Sequence, residues 1–259
     1  MISISKEWSS LKRVVSEMDR QTIFVLVSVP VFVLIHHQIG SRTFFRQEFA
    51  EWVQPGNMAL ASWGWWFSTQ GVLGFLIPVL CLVFIFKRKP GEIGLGLGDW
   101  KLALGLSALY IPLVVIGTFV LSADPAFQAN YPHLHSAASS WKVFAIYESL
   151  FIFYWFGWEY LWRGYMLFGT ERTFGAYAIL IQAIPFALLH AGKPFAEGML
   201  SVVGGIALGA LVWRCRSFWI AIPIHAAQML ILDFFCSLRV RTGATGLGLS
   251  DLIEMLGGM

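Results

Sequence analysis

The sequence predicts an all-α, polytopic membrane protein: a bundle of about seven transmembrane helices. Of its 259 residues, 57% are hydrophobic and only 13% are charged, whereas soluble domains average roughly 45–50% apolar and about 25% charged residues. The apolar residues also form unbroken stretches with the length of a membrane helix, about 20 residues. These properties exclude a soluble globular enzyme, a disordered chain and a nucleic-acid-binding protein.

Seven apolar stretches have the length to cross a bilayer at about 1.5 Å per residue. They cover approximately residues 22–40, 63–86, 102–121, 142–169, 174–192, 196–213 and 217–236. Trp63 and Trp141 stand at the starts of the second and fourth stretches, where aromatic rings favour the headgroup region. Gly205 and Gly209 are four residues apart in the sixth stretch, which allows close packing by another helix.

Composition divides the chain into three segments. Residues 1–21 are predicted to be a cytoplasmic amphipathic segment, either a helix on the inner membrane surface or a loosely ordered tail. Residues 22–240 form the bundle, and residues 241–259 form a C-terminal tail. With the N-terminus inside, eleven Lys or Arg residues fall in inner segments and six in outer ones, which favours this orientation. The expected location is the bacterial inner (plasma) membrane.

Four ionisable side chains interrupt the apolar stretches. Each costs about 2.5–3.5 kcal/mol at mid-bilayer, so such groups usually serve a purpose. Glu159 and Arg163 are four residues apart in the fourth stretch and can form an ion pair on a helix. His190 ends the fifth stretch and His225 lies in the seventh. A self-neutralising pair with two packing histidines is the structural alternative, but three helices that each present a polar group favour a shared site.

A carboxylate and two imidazoles in a dry pocket can activate water and hydrolyse an amide without a covalent nucleophile. In this interpretation the carboxylate is the general base, one imidazole holds the water and the other donates to the oxyanion of the tetrahedral intermediate. Glu plus two His could also bind zinc. This alternative ranks second because the His-Glu-x-x-His signature is absent, and no cofactor or metal is expected.

The residues resemble the CPBP or ABI family of CAAX-processing and bacteriocin-processing intramembrane proteases. The family pattern is Glu-Glu-x-x-x-Arg, then Phe-x-x-x-His, then His-x-x-x-Asn/Asp. Glu159 and Arg163 match the first motif, Phe186 and His190 match the second, and His225 begins the third. The similarity covers roughly residues 85–235. It implies an intramembrane endopeptidase in which a motif glutamate and the second-motif histidine activate water and the third motif stabilises the oxyanion. Carried over to this sequence, Glu159 is the base, His190 positions the water and His225 stabilises the oxyanion. Arg163 orients the motif helix.

The sequence departs from that pattern at two positions. Trp158 replaces the first glutamate, and Met229 replaces the Asn/Asp. Gln228 or Asp233 could compensate for Met229, or Asp233 could instead orient the His225 imidazole.

Two further carboxylates, Glu197 and Glu148, lie near these motifs in the sequence. Glu197 follows the break after the fifth stretch and could reach back over the site, although a surface position near Lys193 is the simpler expectation. Glu148 lies about 16 Å from Glu159 along a helix axis, too far to act with it.

Three functions remain open on the sequence alone. The first is an intramembrane endopeptidase that cleaves a membrane-anchored protein or peptide, with the lipid bilayer as surroundings and no nucleic-acid partner. The second is a non-catalytic membrane binding or immunity protein of the same family, favoured by Trp158 and Met229. The third is a proton-coupled transporter, which the lack of internal repeats disfavours. The sequence does not indicate the oligomeric state.

Overall fold

The computed structural model describes residues 3–258, and every regular element among them is helical. Met1, Ile2 and Met259, which belong to the predicted terminal segments, lie outside the described residues. The α-helices are α1 (Ile4–Glu17), α2 (Arg20–Gln38), α3 (Arg42–Glu48), α4 (Met58–Gly71), α5 (Ile77–Leu80), α6 (Trp100–Leu121), α7 (Pro125–Asn130), α8 (His135–Ser139), α9 (Trp141–Glu159), α10 (Leu167–Phe174), α11 (Ala178–Leu188), α12 (Phe195–Cys215), α13 (Ala221–Thr242) and α14 (Leu249–Gly257).

Within residues 3–258, five helical segments are long and apolar enough to cross a membrane, judged by length and composition. They are Arg20–Gln38, Pro55–Ile85, Trp100–Leu121, Phe195–Cys215 and Phe218–Thr242. Each coincides with one of the predicted stretches, with ends that differ by several residues. The fold is therefore the all-α membrane helix bundle that the sequence predicts.

The predicted fourth stretch forms one long helical rod. α9 continues through a π-helical segment, Tyr160–Met166, directly into α10. The rod thus ends at Phe174, five residues beyond the predicted end. π-Helical segments occur often at functional sites, and this one begins directly after Glu159.

The predicted fifth stretch, residues 174–192, is shorter than expected. Its helix α11 has 11 residues, which reach roughly 17 Å and do not cross a bilayer alone. A turn follows α11, and the backbone NH of His190 donates to the Ala187 carbonyl in that turn. His190 therefore lies beyond the helix end, which places it within the bundle rather than far along a full-length span.

Glycines set the close helix contacts around the rod. A Cβ on Gly157 would overlap the backbone carbonyl of Gln70, and one on Gly74 would overlap the carbonyl of Gly157. The α4–α5 rod and α9 therefore cross backbone to backbone, as small residues permit in membranes. Gly205 packs against the ring of Phe186 in the same way, which agrees with the packing role predicted for the glycines of α12.

The N-terminal helix α1 makes no buried contact with the bundle. Its predicted apolar stripe is solvent-exposed in this chain, with Ile4 84% and Trp8 57% accessible. The membrane-surface position of this helix remains a prediction.

Candidate active site

The predicted ion pair lies fully inside the protein, at the junction of α9 and the π-helical segment. Glu159 and Arg163 have no solvent-accessible surface, and Arg163 Nη1 donates to Glu159 Oε1 over 3.2 Å. The guanidinium carbon of Arg163 also lies 4.0 Å from the ring centroid of Phe186. A buried charge that lacks a partner is strongly destabilising, so each of these two residues makes the burial of the other possible.

The carboxylate also holds the third-motif histidine. His225 on α13 donates from Nδ1 to Glu159 Oε1 over 2.6 Å. The imidazole lies against the indole of Trp155, with ring centroids 4.5 Å apart. Because Nδ1 carries the donated proton, Nε2 of a neutral His225 is the acceptor nitrogen. Glu159 therefore fixes both the orientation and the tautomer of this histidine.

His190 reaches the same region from the turn after α11. Its Nδ1 donates to the Phe186 carbonyl over 2.7 Å, so Nε2 of the neutral ring is again an acceptor. The Phe186 ring lies between the two histidines, 4.6 Å from His190 and 6.2 Å from His225 between centroids. The structure thus brings together all four residues predicted for the site.

A cavity of about 510 Å³ adjoins this cluster. Most of the residues that line it lie on α6, α12 and α13, and His225 is one of these. Arg163 and His190 also line it. Most of the remaining lining is apolar. The volume is in the range of ligand pockets, and it exceeds by far the space that one water molecule needs.

Glu159 itself does not line this cavity. Its Oε1 is occupied by His225 and Arg163, and its Oε2 is buried with no hydrogen-bond partner among the described residues. The carboxylate therefore contacts His225, which lines the cavity, and does not itself reach the space where a substrate would bind. This geometry differs from the predicted division of roles, in which Glu159 meets the water and His225 meets the oxyanion.

The two candidates proposed to replace Met229 have different surroundings. Gln228 lines the cavity, and its Oε1 accepts from the Tyr110 hydroxyl over 3.0 Å, which leaves the amide NH₂ as a donor. Asp233 is fully buried outside the lining, and its carboxyl group lies against that of Glu148. The orienting partner of His225 is Glu159, so the predicted orienting role of Asp233 is wrong.

Trp158 occupies the position of the missing motif glutamate. Its indole stacks on Tyr154 with centroids 5.5 Å apart and lies 6.0 Å from the His190 ring. It forms part of the aromatic wall around His190 and supplies neither a carboxylate nor a proton-transfer group.

Glu197 lies beside Lys193 and also borders the cavity. It forms an ion pair with Lys193, 3.9 Å between Nζ and Oε1, and it also lines the cavity. Tyr131 donates to Glu197 Oε1 over 2.6 Å. Lys193 Nζ lies 2.9 Å from both the Tyr131 hydroxyl and His133 Nε2.

The electrostatics of this loop cluster follow from burial. Burial and, secondly, the charge of Lys193 lower the pKa of His133 to about 3, so its Nε2 is free to accept from the ammonium. Burial also lowers the pKa of Lys193, while Glu197 and Asp233 oppose that shift. Tyr131 and Tyr110 were missed in the sequence, because no fixed spacing links them to the motif residues.

The zinc alternative finds little support in the donor set. Among the residues that the structure describes, no group of three or more His, Cys, Asp or Glu side chains is arranged to hold a metal ion. A structural zinc site takes four protein ligands and a catalytic one usually takes three.

The fold and the site together define a polytopic membrane helix bundle with a buried carboxylate–histidine pair beside a large cavity. Residues 139–231 match the family model described as Rce1-like, type II CAAX prenyl endopeptidase Rce1-like. The match contains all four predicted site residues and confirms the resemblance to the CAAX-processing protease family over that part of the chain. No curated protein and no solved structure matches the chain. The family match and the apolar helices indicate an integral membrane protein related to proteases.

Proposed function

We propose that this protein is an intramembrane endopeptidase that hydrolyses a peptide bond of a membrane-anchored protein or peptide. The observation that carries the proposal is the 2.6 Å contact between Glu159 Oε1 and His225 Nδ1 beside a cavity that His225 lines. A carboxylate that orients an imidazole toward a substrate space is the arrangement that general-base catalysis requires.

In this mechanism His225 activates the water. The water oxygen bonds to the scissile carbonyl carbon while His225 Nε2 takes a proton, and Glu159 stabilises the imidazolium that forms. His190 holds the water through its acceptor Nε2. The tetrahedral intermediate then collapses, the C–N bond breaks, and His225 returns the proton to the leaving nitrogen. The products are a carboxylic acid and an amine, and the acid then passes its remaining proton to the amine to give a carboxylate and an ammonium group.

The negative charge that develops on the carbonyl oxygen needs donors. The Gln228 amide lines the cavity and provides one donor, as in other oxyanion holes. Arg163 also lines the cavity, and its Nε and Nη2 have no hydrogen-bond partner among the described residues. Its positive charge keeps the neighbourhood of Glu159 neutral and favours an oxyanion nearby.

The membrane setting of the proposal follows the charge distribution of the chain. We place the N-terminus in the cytoplasm and the protein in the bacterial plasma membrane, because the segments on that side carry the larger number of Lys and Arg residues. Helix α1 then lies on the inner membrane surface with its apolar stripe toward the lipid.

Cleavage of membrane-tethered peptides tests the proposed function. Purified protein in lipid nanodiscs is incubated with a peptide library, and products are identified by mass spectrometry. His225→Ala is expected to lower the rate about 10²–10⁴-fold. The matched control is His135→Ala, because His135 is exposed at the start of α8. Equal rates for wild type and both variants would contradict the proposal.

A non-catalytic membrane binding or immunity protein is the second candidate. The complete burial of Glu159 behind His225 favours it, as do Trp158 and Met229 at the motif positions. For such a protein the cavity would bind a peptide without cleaving it, and His225→Ala would change neither product formation nor the fate of the bound peptide.

A further inference from the structure

The cavity is elongated and its two ends differ in chemistry. Its lining follows α12 from Glu197 to Leu211, roughly 21 Å along the helix axis. The end near the α12 C-terminus is formed by apolar side chains of three helices, Leu106, Leu208, Leu211 and Ile224. The opposite end holds the carboxylate of Glu197. The two histidines lie between these ends.

Glu197 is the one acidic side chain among the described residues that line the cavity. Tyr131 holds its Oε1, whereas its Oε2 is buried with no hydrogen-bond partner in residues 3–258. An unpaired carboxylate oxygen that faces apolar surroundings is costly. A cationic ligand group in the cavity beside the Glu197 carboxylate offsets that cost.

Lys193 does not satisfy this requirement. Its ammonium is 1.0 Å farther from Glu197 than from Tyr131 and His133, at 3.9 Å against 2.9 Å. Asp233 lies close enough to interact electrostatically with Glu197, Lys193 and Glu148. Glu148 and Asp233 do not line the cavity, so Glu197 is the acid among the described residues that a ligand meets at this end.

The only other permanently charged group that lines the cavity within the described chain is Arg163, and Glu159 already pairs with it. A negatively charged substrate side chain therefore finds no free cation in the cavity. A positively charged substrate side chain can pair with the Glu197 carboxylate.

We propose that the cavity binds an extended peptide with a lysine or arginine side chain at Glu197 and apolar side chains at the Leu106–Leu211 end. The scissile bond lies between them, beside His190 and His225. This assignment of substrate class rests on the proposed function. Glu197 is then a specificity-determining residue: it selects the substrate by charge and takes no part in proton transfer.

Peptide binding tests the assignment without requiring cleavage. The probes are two acetylated hexapeptide amides of leucine, identical except for one central residue, lysine or norleucine. Binding to the protein in nanodiscs is followed by tryptophan fluorescence, since Trp155 and Trp158 border the site. Glu197→Gln is expected to weaken the lysine peptide at least about tenfold, or ~1.4 kcal/mol, and the norleucine peptide less than about twofold.

Matched variants separate charge from structure. Glu197→Asp, which keeps the charge, is expected to retain most of the preference for lysine. Glu254→Gln removes an exposed acid on α14 and is expected to change nothing. Equal weakening of both peptides, no weakening, or failure of wild type to bind the lysine peptide would overturn the assignment.

The same peptides distinguish this inference from the proposed function. His225→Ala is expected to bind the lysine peptide as wild type does but not to cleave it. Binding with charge preference but no cleavage by wild type would overturn the proposed function alone. Cleavage that is indifferent to lysine and to Glu197→Gln would overturn the substrate class alone.

Discussion

The two polar clusters of this protein satisfy their charges in opposite ways. The sealed cluster consists of Glu159, Arg163 and His225. All three lie on helical segments, and the Glu159–Arg163 ion pair has no solvent-accessible surface. The open cluster is the group around Glu197, which loops hold in part. In its ion pair, 27% of the Lys193 side chain and 17% of the Glu197 side chain stay exposed. The sealed cluster fixes one geometry, as proton transfer demands. The open cluster leaves one carboxylate oxygen without a hydrogen-bond partner beside the cavity, as the proposed recognition of a cationic side chain needs.

The largest expected effect concerns the carboxylate of the sealed cluster. Glu159→Gln removes the anion that stabilises the His225 imidazolium, so the cleavage rate is expected to fall about 10²–10⁴-fold. Glu197→Gln is expected to leave the cleavage rate of the norleucine peptide almost unchanged. Peptide cleavage by both variants is compared after size-exclusion chromatography has confirmed the fold. Equal losses in the two variants would erase the functional difference between the clusters.

The ion pair of the sealed cluster is expected to control stability. Arg163→Met leaves Glu159 buried without its cation, which is expected to cost about 3–5 kcal/mol. The double variant Arg163→Met, Glu159→Gln is expected to recover most of that loss. Thermal unfolding in detergent gives the comparison.

The chain contains a matched control for that pair. Arg88 and Glu92 have the same four-residue spacing and a contact of 3.3 Å, but Glu92 is 45% exposed. Glu92→Gln is expected to change the unfolding midpoint little or not at all, because water screens exposed pairs. Equal effects at both pairs would show that burial does not distinguish them.

Packing beneath His190 is expected to have a smaller effect. Gly205→Val places methyl groups against the Phe186 ring, which already lies 2.9 Å from the position of a Cβ. Such overpacking costs about 1–3 kcal/mol, and it should also shift His190 and slow cleavage. Gly117→Ala on α6 is the control, since nothing lies within 4 Å of its Cβ position. Unchanged stability and cleavage in Gly205→Val would contradict the close contact of α11 and α12.

The smallest effect is expected from His133 in the open cluster. Its pKa is about 3 in the folded protein and about 6.5 when unfolded. The unfolded chain therefore binds the proton first, and folded stability falls as the pH drops from 6.5 toward 3. His133→Gln is expected to lose less stability than wild type between about pH 7 and about pH 4.5. Parallel losses in both proteins would contradict a neutral, buried His133.

The sequence predicts which residues meet at the site and the local ion pair, but not the contacts between residues on different helices. Glu159 and Arg163 are neighbours because helical spacing puts residues four apart on one face. The contact between His225 and Glu159 joins residues 66 positions apart, and hydropathy gives no side-chain distances. The burial of Glu159 behind His225 was hidden for the same reason.

The errors in helix ends have a similar origin. The last turns of α10 carry Thr170, Glu171, Arg172 and Thr173, so hydropathy alone places the break between the fourth and fifth stretches inside α10 and makes the fifth span too long. Because α11 begins at Ala178 rather than at residue 174, His190 lies roughly 18 Å along the axis from the start of its helix instead of roughly 24 Å. Pro194 and the turn before it mark the true end of this segment.

The central claim is that Glu159 and His225 act as one unit on water. Single-turnover cleavage of one membrane-tethered peptide by wild type, Glu159→Gln, His225→Ala and the double variant tests this claim most directly. Residues that act as a unit give strongly non-additive losses, so the double variant is expected to be no slower than His225→Ala alone. Losses that multiply in the double variant, or cleavage that persists in all three, would contradict the claim.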